Sequence, residues 1–428
     1  MSFPGRWGYP WQPGKDRTGM LTRHRRIGTS RNHPIGTTKP SGCWIGALLK
    51  RHVVDTLLLL MSLLFILQVG CTRQIQVPIR KALWITRWDY LTESQVRTCI
   101  GNAAQAGFDT VLFQVRGNGT VFYRSSLEPW CEEFDHQDPG FDPLAVACQE
   151  ANRLGISIHA WINAVPGWRG DQPPPETSPP QHWHARPDWF LHDADGQRQP
   201  LQPNYYVALN PCLPEVRLHV ANICSELIEN YSIDGIHLDY IRFLETGLET
   251  DYPRDSRSLQ LFSQQSGFAD PDSAPEAWEK WRRDQVTELV REIRKAVRQA
   301  DRNALLTAAV YRTPQIAYDR VRQDWPRWLR LGLIDAVFPM QYDRETDRFE
   351  RRVAECVREA SGYPVLMGLG TYLHEDPQTT RRQAQLAIRL GCQGISHFAY
   401  SSFWPAGEAG AASDRLRQLR RQHLLSSD

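Results

Sequence analysis

Three carboxylate residues of this 428-residue chain stand where proton chemistry is most easily built: Asp239 in DGIHLDYIRF, Asp343 in FPMQYD and Glu128 in SSLEPW. Two carboxyl groups acting together can cleave a glycosidic bond. One donates a proton and the other serves as nucleophile or base, about 5–5.5 Å apart for retention and 6.5–9.5 Å for inversion. Around them the chain supplies polar groups and rings: Arg116, His159, Trp161, Asn163, His237, Arg242, Gln341, Tyr342, Tyr400 and Trp404. Sugar hydroxyls need directional partners and sugar C–H faces stack on rings, so such a mixture suits a carbohydrate. Asn163, Gln341 and Tyr342 fit hydrogen bonding, and Trp161 and Trp404 fit stacking. Asp239 leads as catalytic carboxyl, against the alternative of a structural Asp paired with Arg242 or Arg116. For the second carboxyl Asp343 is preferred to Glu128, with Asp89 also placed after a β-forming run; each could equally cap a helix or join an ion pair.

These residues cluster at the carboxyl ends of eight short β-rich runs, which begin near Ala82, Thr110, Ile156, Gly235, Leu305, Asp335, Val365 and Gly394. Successive starts differ by 28, 46, 79, 70, 30, 30 and 29 residues. A bare strand–helix unit therefore takes about 30 residues, and the excess falls after strands 2, 3 and 4. Amphipathic stretches separate the runs: Val96, Cys99, Ile100 and Ala103 follow a Thr92/Gln95 capping box. Val220, Ile223, Cys224, Leu227 and Ile228 make a second apolar stripe, and Val286, Leu289, Val290, Ile293 and Val297 a third. Alternation of this kind predicts an α/β chain folded as a single (β/α)8 TIM barrel over residues 78–423, whose chemistry sits at the carboxyl ends of the strands.

Composition agrees with a large globular domain: 41 % hydrophobic, 23 % charged, 29 Gly and 29 Pro, which excludes collagen, coiled coil and wholly disordered chains. The net charge of +2 hides an asymmetry, because residues 1–70 carry 10 Lys/Arg against 2 Asp/Glu, leaving 40 against 46 beyond. An acidic folded part argues against nucleic acid as partner. Residues 1–48 lack hydrophobic periodicity and read as a disordered tail or an early start site. Residues 49–71 read as a signal peptide: Lys50 and Arg51 precede LLLLMSLLFIL, too short for a membrane span. The closing Leu67-Gln68-Val69-Gly70-Cys71 resembles a lipobox, with Gln68 where Leu is usual. Lipidation of Cys71 would give a periplasmic or outer-membrane lipoprotein, with a secreted protein as the alternative. Apart from Cys43 in the tail and Cys71, seven of the nine Cys remain and form no C-x-x-C pair, so neither a disulfide framework nor a zinc site is signalled, although Cys131 and Cys212 lie in loops able to meet. His182 and His184, in a Pro-rich loop from about 166 to 214, lack a carboxylate or Cys at ligand spacing. No metal and no cofactor is expected.

The ordered blocks ALWIT, DTVLFQVRGNGTVFYRSSLEPW, FDPLAVACQEANRLGISIHAWINAV, RPDWF, YVALNPCLPEVR, DGIHLDYIRF, WRRDQV and FPMQYD resemble the signature blocks of glycosyl-hydrolase-like family 10. That family of bacterial envelope barrels is distinct from the xylanase family of the same number. The resemblance spans roughly residues 80–405 and implies a TIM barrel that hydrolyses a polysaccharide, with peptidoglycan glycan strands as the associated substrate. The fourth-strand block also resembles the chitinase pattern, whose inward set would here be His237, Asp239 and Ile241. Ile241 stands where the chitinase acid would be, which leaves Asp239 as the carboxylate of that face. The same missing Glu keeps open a glycan-binding barrel without catalysis, and an envelope scaffold lipoprotein is a further alternative.

Overall fold

The computed structural model describes residues 76–244, 251–405 and 413–425. The expected tail, the expected signal peptide and Cys71 lie outside the described residues. Ten strands are described: β1 (Lys81–Ile85), β2 (Thr110–Arg116), β3 (Ser157–Asn163), β4 (Pro166–Gly170), β5 (Gln202–Ala208), β6 (Gly235–Asp239), β7 (Leu305–Val310), β8 (Ala336–Gln341), β9 (Leu366–Leu369) and β10 (Gly394–His397). Eight of them close into a barrel in the order β1-β2-β3-β6-β7-β8-β9-β10, and β10 returns to β1. Every neighbouring barrel pair is parallel. The eight expected strands are all present, each starting within one residue of its expected position.

Burial on both faces explains why these strands read as continuous apolar runs; β2, for example, is buried at all seven positions. Inward side chains such as Trp84, Leu112, Trp161 and Phe338 fill the barrel, while Leu83, Ile85, Val111 and Phe113 face the helices. Val77 and Ile79, just before β1, pack with Ala82, Ala336 and Leu366 and close the amino-terminal end. The expected apolar stripes lie on α1 (Glu93–Gln105), α4 (Pro214–Asn230) and α6 (Pro275–Ala300), with α2 (Pro143–Leu154), the short α3 (His182–Ala185) inside the loop after β3, and α5 (Ser256–Ser266) between them. Thr92 and Gln95 complete the capping box of α1, whose Val96, Cys99, Ile100 and Ala103 are buried.

The three long connections carry the departures from a bare barrel. After β3 the chain makes an antiparallel ribbon of β4 and β5, which the Pro- and Gly-containing sequence does not announce. After β2 come the Glu128 loop and a short 3-10 turn, and after β6 comes α5. Cys131 and Cys212 do not bridge: both are free, buried thiols, as are Cys99, Cys148, Cys224, Cys356 and Cys392. Among the described residues no helix is long and apolar enough to cross a membrane.

Candidate active site

Asp239 ends β6 at the carboxyl face of the barrel and is 2 % exposed. Its Oδ1 accepts the Tyr240 amide at 2.6 Å and an Arg242 Nη1 donor at 3.1 Å. Burial raises the Asp239 carboxyl above the ordinary carboxylate range, against the opposing pull of Arg242 and the Tyr240 amide. A carboxyl tuned upward keeps its proton at higher pH and can act as a general acid. The strand leaves Asp239 through Tyr240, which has φ +49°. A bulky residue in the left-handed region carries strain; here it turns the next ring into the mouth. Tyr240 lies 5.1 Å from Tyr206 of the β4–β5 ribbon, and the Arg242 guanidinium sits over Tyr240 at 4.3 Å and Tyr311 at 5.7 Å. On the far wall Tyr342 packs against Phe398 at 5.3 Å and Tyr372 at 6.1 Å. Burial first, and then Asp239 and neighbouring phenols, push Tyr240 and Tyr342 well above the usual phenol range, so both remain hydrogen-bond donors.

The structure brings Asp239, Arg242 and Tyr342 together at this mouth and sends the other expected residues elsewhere. Asp343 turns toward the following helix α9 (Thr346–Ala360, after α7, Pro314–Val321, and α8, Trp325–Arg330). Its carboxylate takes two bonds from Arg348, one from Arg352 at 2.9 Å and the Glu345 amide at 2.9 Å. Although burial alone would raise it, those donors hold Asp343 below the ordinary carboxylate range, which suits a structural anion rather than a proton donor. Gln341 likewise bonds the Arg312 carbonyl and Cys356. Glu128 is 1 % exposed and is gripped by Arg116 through Nε and Nη2, both at 2.7 Å. Arg116 also reaches the carbonyls of Asn163, Ala164 and Pro166. Burial would raise Glu128, but Arg116, His182 and His219 hold it well below the ordinary range.

Trp161, Asn163, His159 and His237 face inward but are occupied by the barrel. Trp161 Nε1 bonds Asn163 Oδ1 at 3.2 Å, and Asn163 donates to the Gly117 carbonyl at 3.0 Å. His237 bonds Thr307 at 2.8 Å and packs on Trp84 and Phe338. His159 sits deeper, against Gly235, where a Cβ would come within 2.9 Å of its ring. Burial pushes His159 down to about 4 and His237 well below the ordinary imidazole range. Tyr400 stacks on Trp404 at 4.9 Å and accepts a bond from Asn102 of α1 at 2.7 Å, which places the pair against an outer helix.

Two residues that reasoning from sequence missed enter here. Tyr240 was hidden because nothing in the motif shows the left-handed turn that adds it to the mouth. His219 of α4 lies between the buried Val216 and Val220; a His on an apolar helix face was the available signal. It meets His182 and Glu128 in one cluster, away from Asp239's hydrogen bonds.

Comparison with known proteins places this geometry in context. The family model described as Glycosyl hydrolase-like 10 matches residues 78–370. Among curated relatives, the chain is 24 % identical over 261 residues to Glycosyl hydrolase DigH of Escherichia coli K12, covering 55 % of each protein. It is 25 % identical over 261 residues to Glycosyl hydrolase YngK of Bacillus subtilis 168, covering 57 % of this chain and 48 % of that one. The chain thus spans about half the length of the curated relatives it matches. Solved structures share the fold at low identity. The catalytic domain of a Paenibacillus polymyxa beta-amylase has TM-score 0.56 and 9 % identity, with 81 % of this chain and 98 % of that one covered. Alpha-L-fucosidase isoenzyme 2 of Paenibacillus thiaminolyticus has TM-score 0.55 and 13 % identity, with 81 % and 49 % covered. With more than half of its residues matched by the family model and its strands closed into the same kind of barrel, the chain belongs to the Glycosyl hydrolase-like 10 family.

Proposed function

We propose that the protein is a glycoside hydrolase of the bacterial envelope that cleaves a polysaccharide, the glycan strands of peptidoglycan, with Asp239 as its proton donor. The observation that carries this reading is the buried carboxyl of Asp239 at the strand end, bonded by Arg242 and the Tyr240 amide and ringed by Tyr240, Tyr342 and Arg242. Protonated Asp239 donates to the glycosidic oxygen, and the phenols of Tyr240 and Tyr342 bond sugar hydroxyls. Arg242 holds one carboxylate oxygen and orients the other toward the mouth. Neither Asp343 nor Glu128 is free to act as the partner carboxylate, since arginines hold both. In substrate-assisted hydrolases the attacking group belongs to the sugar. The 2-acetamido carbonyl of an N-acetylated glycan would supply it here, which favours peptidoglycan over unsubstituted polysaccharides.

Dye-labelled glycan strands test the proposal. Wild type should release dye, and Asp239→Asn, nearly isosteric, should fold normally but turn over at least about 100-fold more slowly. Because the acid must be protonated, the rate should fall as pH rises through a pKa above the ordinary carboxylate value. Unchanged turnover in Asp239→Asn would remove Asp239 from the mechanism. A second reading, a glycan-binding barrel without catalysis, is favoured by the Arg242 bond to Asp239; retention of glycan without any release would select it. We also propose a lipid anchor at Cys71, resting on the signal-like segment before it. A Cys71→Ser variant should lose fatty-acid labelling and membrane fractionation, and unaltered fractionation would exclude the anchor.

A further inference from the structure

Outside the mouth, three ligating side chains from separate parts of the chain point at one another: Glu128 from the loop after β2, His182 of α3 and His219 of α4. Their spacing in sequence gives no metal motif, and only the fold makes the group visible. The His182 Nε2 to His219 Nε2 distance is 2.9 Å, His219 Nε2 to Glu128 Oε1 is 3.0 Å and His182 Nε2 to Glu128 Oε1 is 3.3 Å.

Protons cannot satisfy this triangle. A single N–H on either ring leaves the other nitrogen's lone pair facing the carboxylate oxygen, and an N–H on both sets two donors 2.9 Å apart. One cation at the centre accepts all three lone pairs at once. Around a tetrahedral metal with bonds of about 2.0–2.1 Å, ligand atoms lie about 3.3 Å apart, close to the edges found here. We propose that Glu128, His182 and His219 bind a divalent transition metal of the zinc class. Two imidazoles and a carboxylate suit zinc or cobalt, whereas magnesium and calcium prefer oxygen ligands throughout.

The surroundings enclose the site, while three protein ligands leave a fourth tetrahedral position that they do not fill. The Glu128 side chain is fully buried, those of His182 and His219 are 9 % exposed, and the Trp189 ring covers both imidazoles at 5.2 and 5.4 Å. Arg116 grips both carboxylate oxygens, Nη2 on the same Oε1 that faces the imidazoles and Nε on Oε2, and fixes the carboxylate's orientation in the manner of an outer-shell partner. It also draws off part of the carboxylate's charge, so affinity should fall below that of a closed four-ligand zinc site. Bound there, the metal staples the loops after β2 and β3 to α4. The inference stands independently of glycosidic activity.

The test uses the full chain purified without a polyhistidine tag, loaded with Zn2+ and dialysed against metal-free buffer. Elemental analysis should find about one zinc per chain in wild type, and less than about a tenth of that in His182→Gln and His219→Gln. Loss of a ligand should exceed the roughly 10–100-fold affinity change that outer-shell substitutions produce. Zinc should also raise the melting temperature of chelator-treated wild type and leave both variants unmoved. No retained zinc in wild type, or equal zinc in the variants, would overturn the site. If the variants fail to fold, Co2+ titration of wild type decides: a tetrahedral visible spectrum saturating near one equivalent supports the site, and an octahedral spectrum like that of free Co2+ rejects it.

Discussion

Asp89 lies just beyond β1 with 2 % exposure, and its ionisation should set a measurable pH dependence of stability. Its Oδ2 accepts the Thr86 amide at 2.7 Å and the Thr86 hydroxyl at 2.9 Å, while Oδ1 has no partner among the described residues. Burial pushes this carboxyl up to about 7, against the opposing bonds from Thr86. The groups that sense its charge, Tyr90, Cys99 and Tyr400, are themselves raised by burial and stay neutral. The unfolded chain releases this proton near 3.8, whereas the folded chain keeps it. The stabilisation is therefore fully present below about pH 4 and is lost as pH rises to about 7. A shift of about 3 units at 1.36 kcal/mol each makes the loss at most about 4 kcal/mol. Asp89→Asn keeps an acceptor for Thr86 and never ionises. Wild type and variant should melt together near pH 4, and the variant should be the more stable near pH 8. With an unfolding entropy of about 2.1 cal/mol/K per residue over roughly 350 residues, the gap is about 5 °C. Thermal melts of both proteins at the two pH values read it directly, and other titrating groups cancel in the difference. A gap that does not change with pH refutes the buried carboxylate with one oxygen unsatisfied.

Other substitutions separate structure from catalysis. Asp343→Asn should lower stability by about 1–3 kcal/mol in chemical denaturation, through its lost bonds to Arg348 and Arg352, and leave turnover unaltered; a collapse in turnover at intact stability would return Asp343 to the mechanism. Glu128→Gln strands the buried Arg116 cation and should cost about 3–5 kcal/mol, so a cost near zero would contradict the ion pair. Gly235→Ala would press a Cβ against the Leu305 carbonyl and within 2.9 Å of the His159 ring. It should lower the melting temperature by the equivalent of about 1–3 kcal/mol, and an unchanged melt would mean the barrel floor is looser than it looks.

The barrel was legible because its physics is repetitive: strands buried on both faces leave apolar runs, and helices buried on one face leave stripes. Side-chain direction was harder. Gln341, Tyr342 and Asp343 were read as one patch, yet side chains alternate along a strand. Tyr342 faces the mouth, and its two neighbours turn toward the helices. Asp239 and Tyr240 escape that rule only because Tyr240 is left-handed, which no motif declares. His159 shares a face with Asn163 but lies four residues, about 13 Å, deeper along β3. Depth along a strand is invisible until the register is known. The ribbon of β4 and β5 was hidden because neither PGWRG nor QPNYYVA alternates cleanly.

Val77 and Ile79 plug the barrel at the end opposite Asp239. The chain therefore enters the domain from behind. The end of the barrel that receives the chain is thus closed by side chains, and the groups around Asp239 are reached only from the opposite end, where the strands run out.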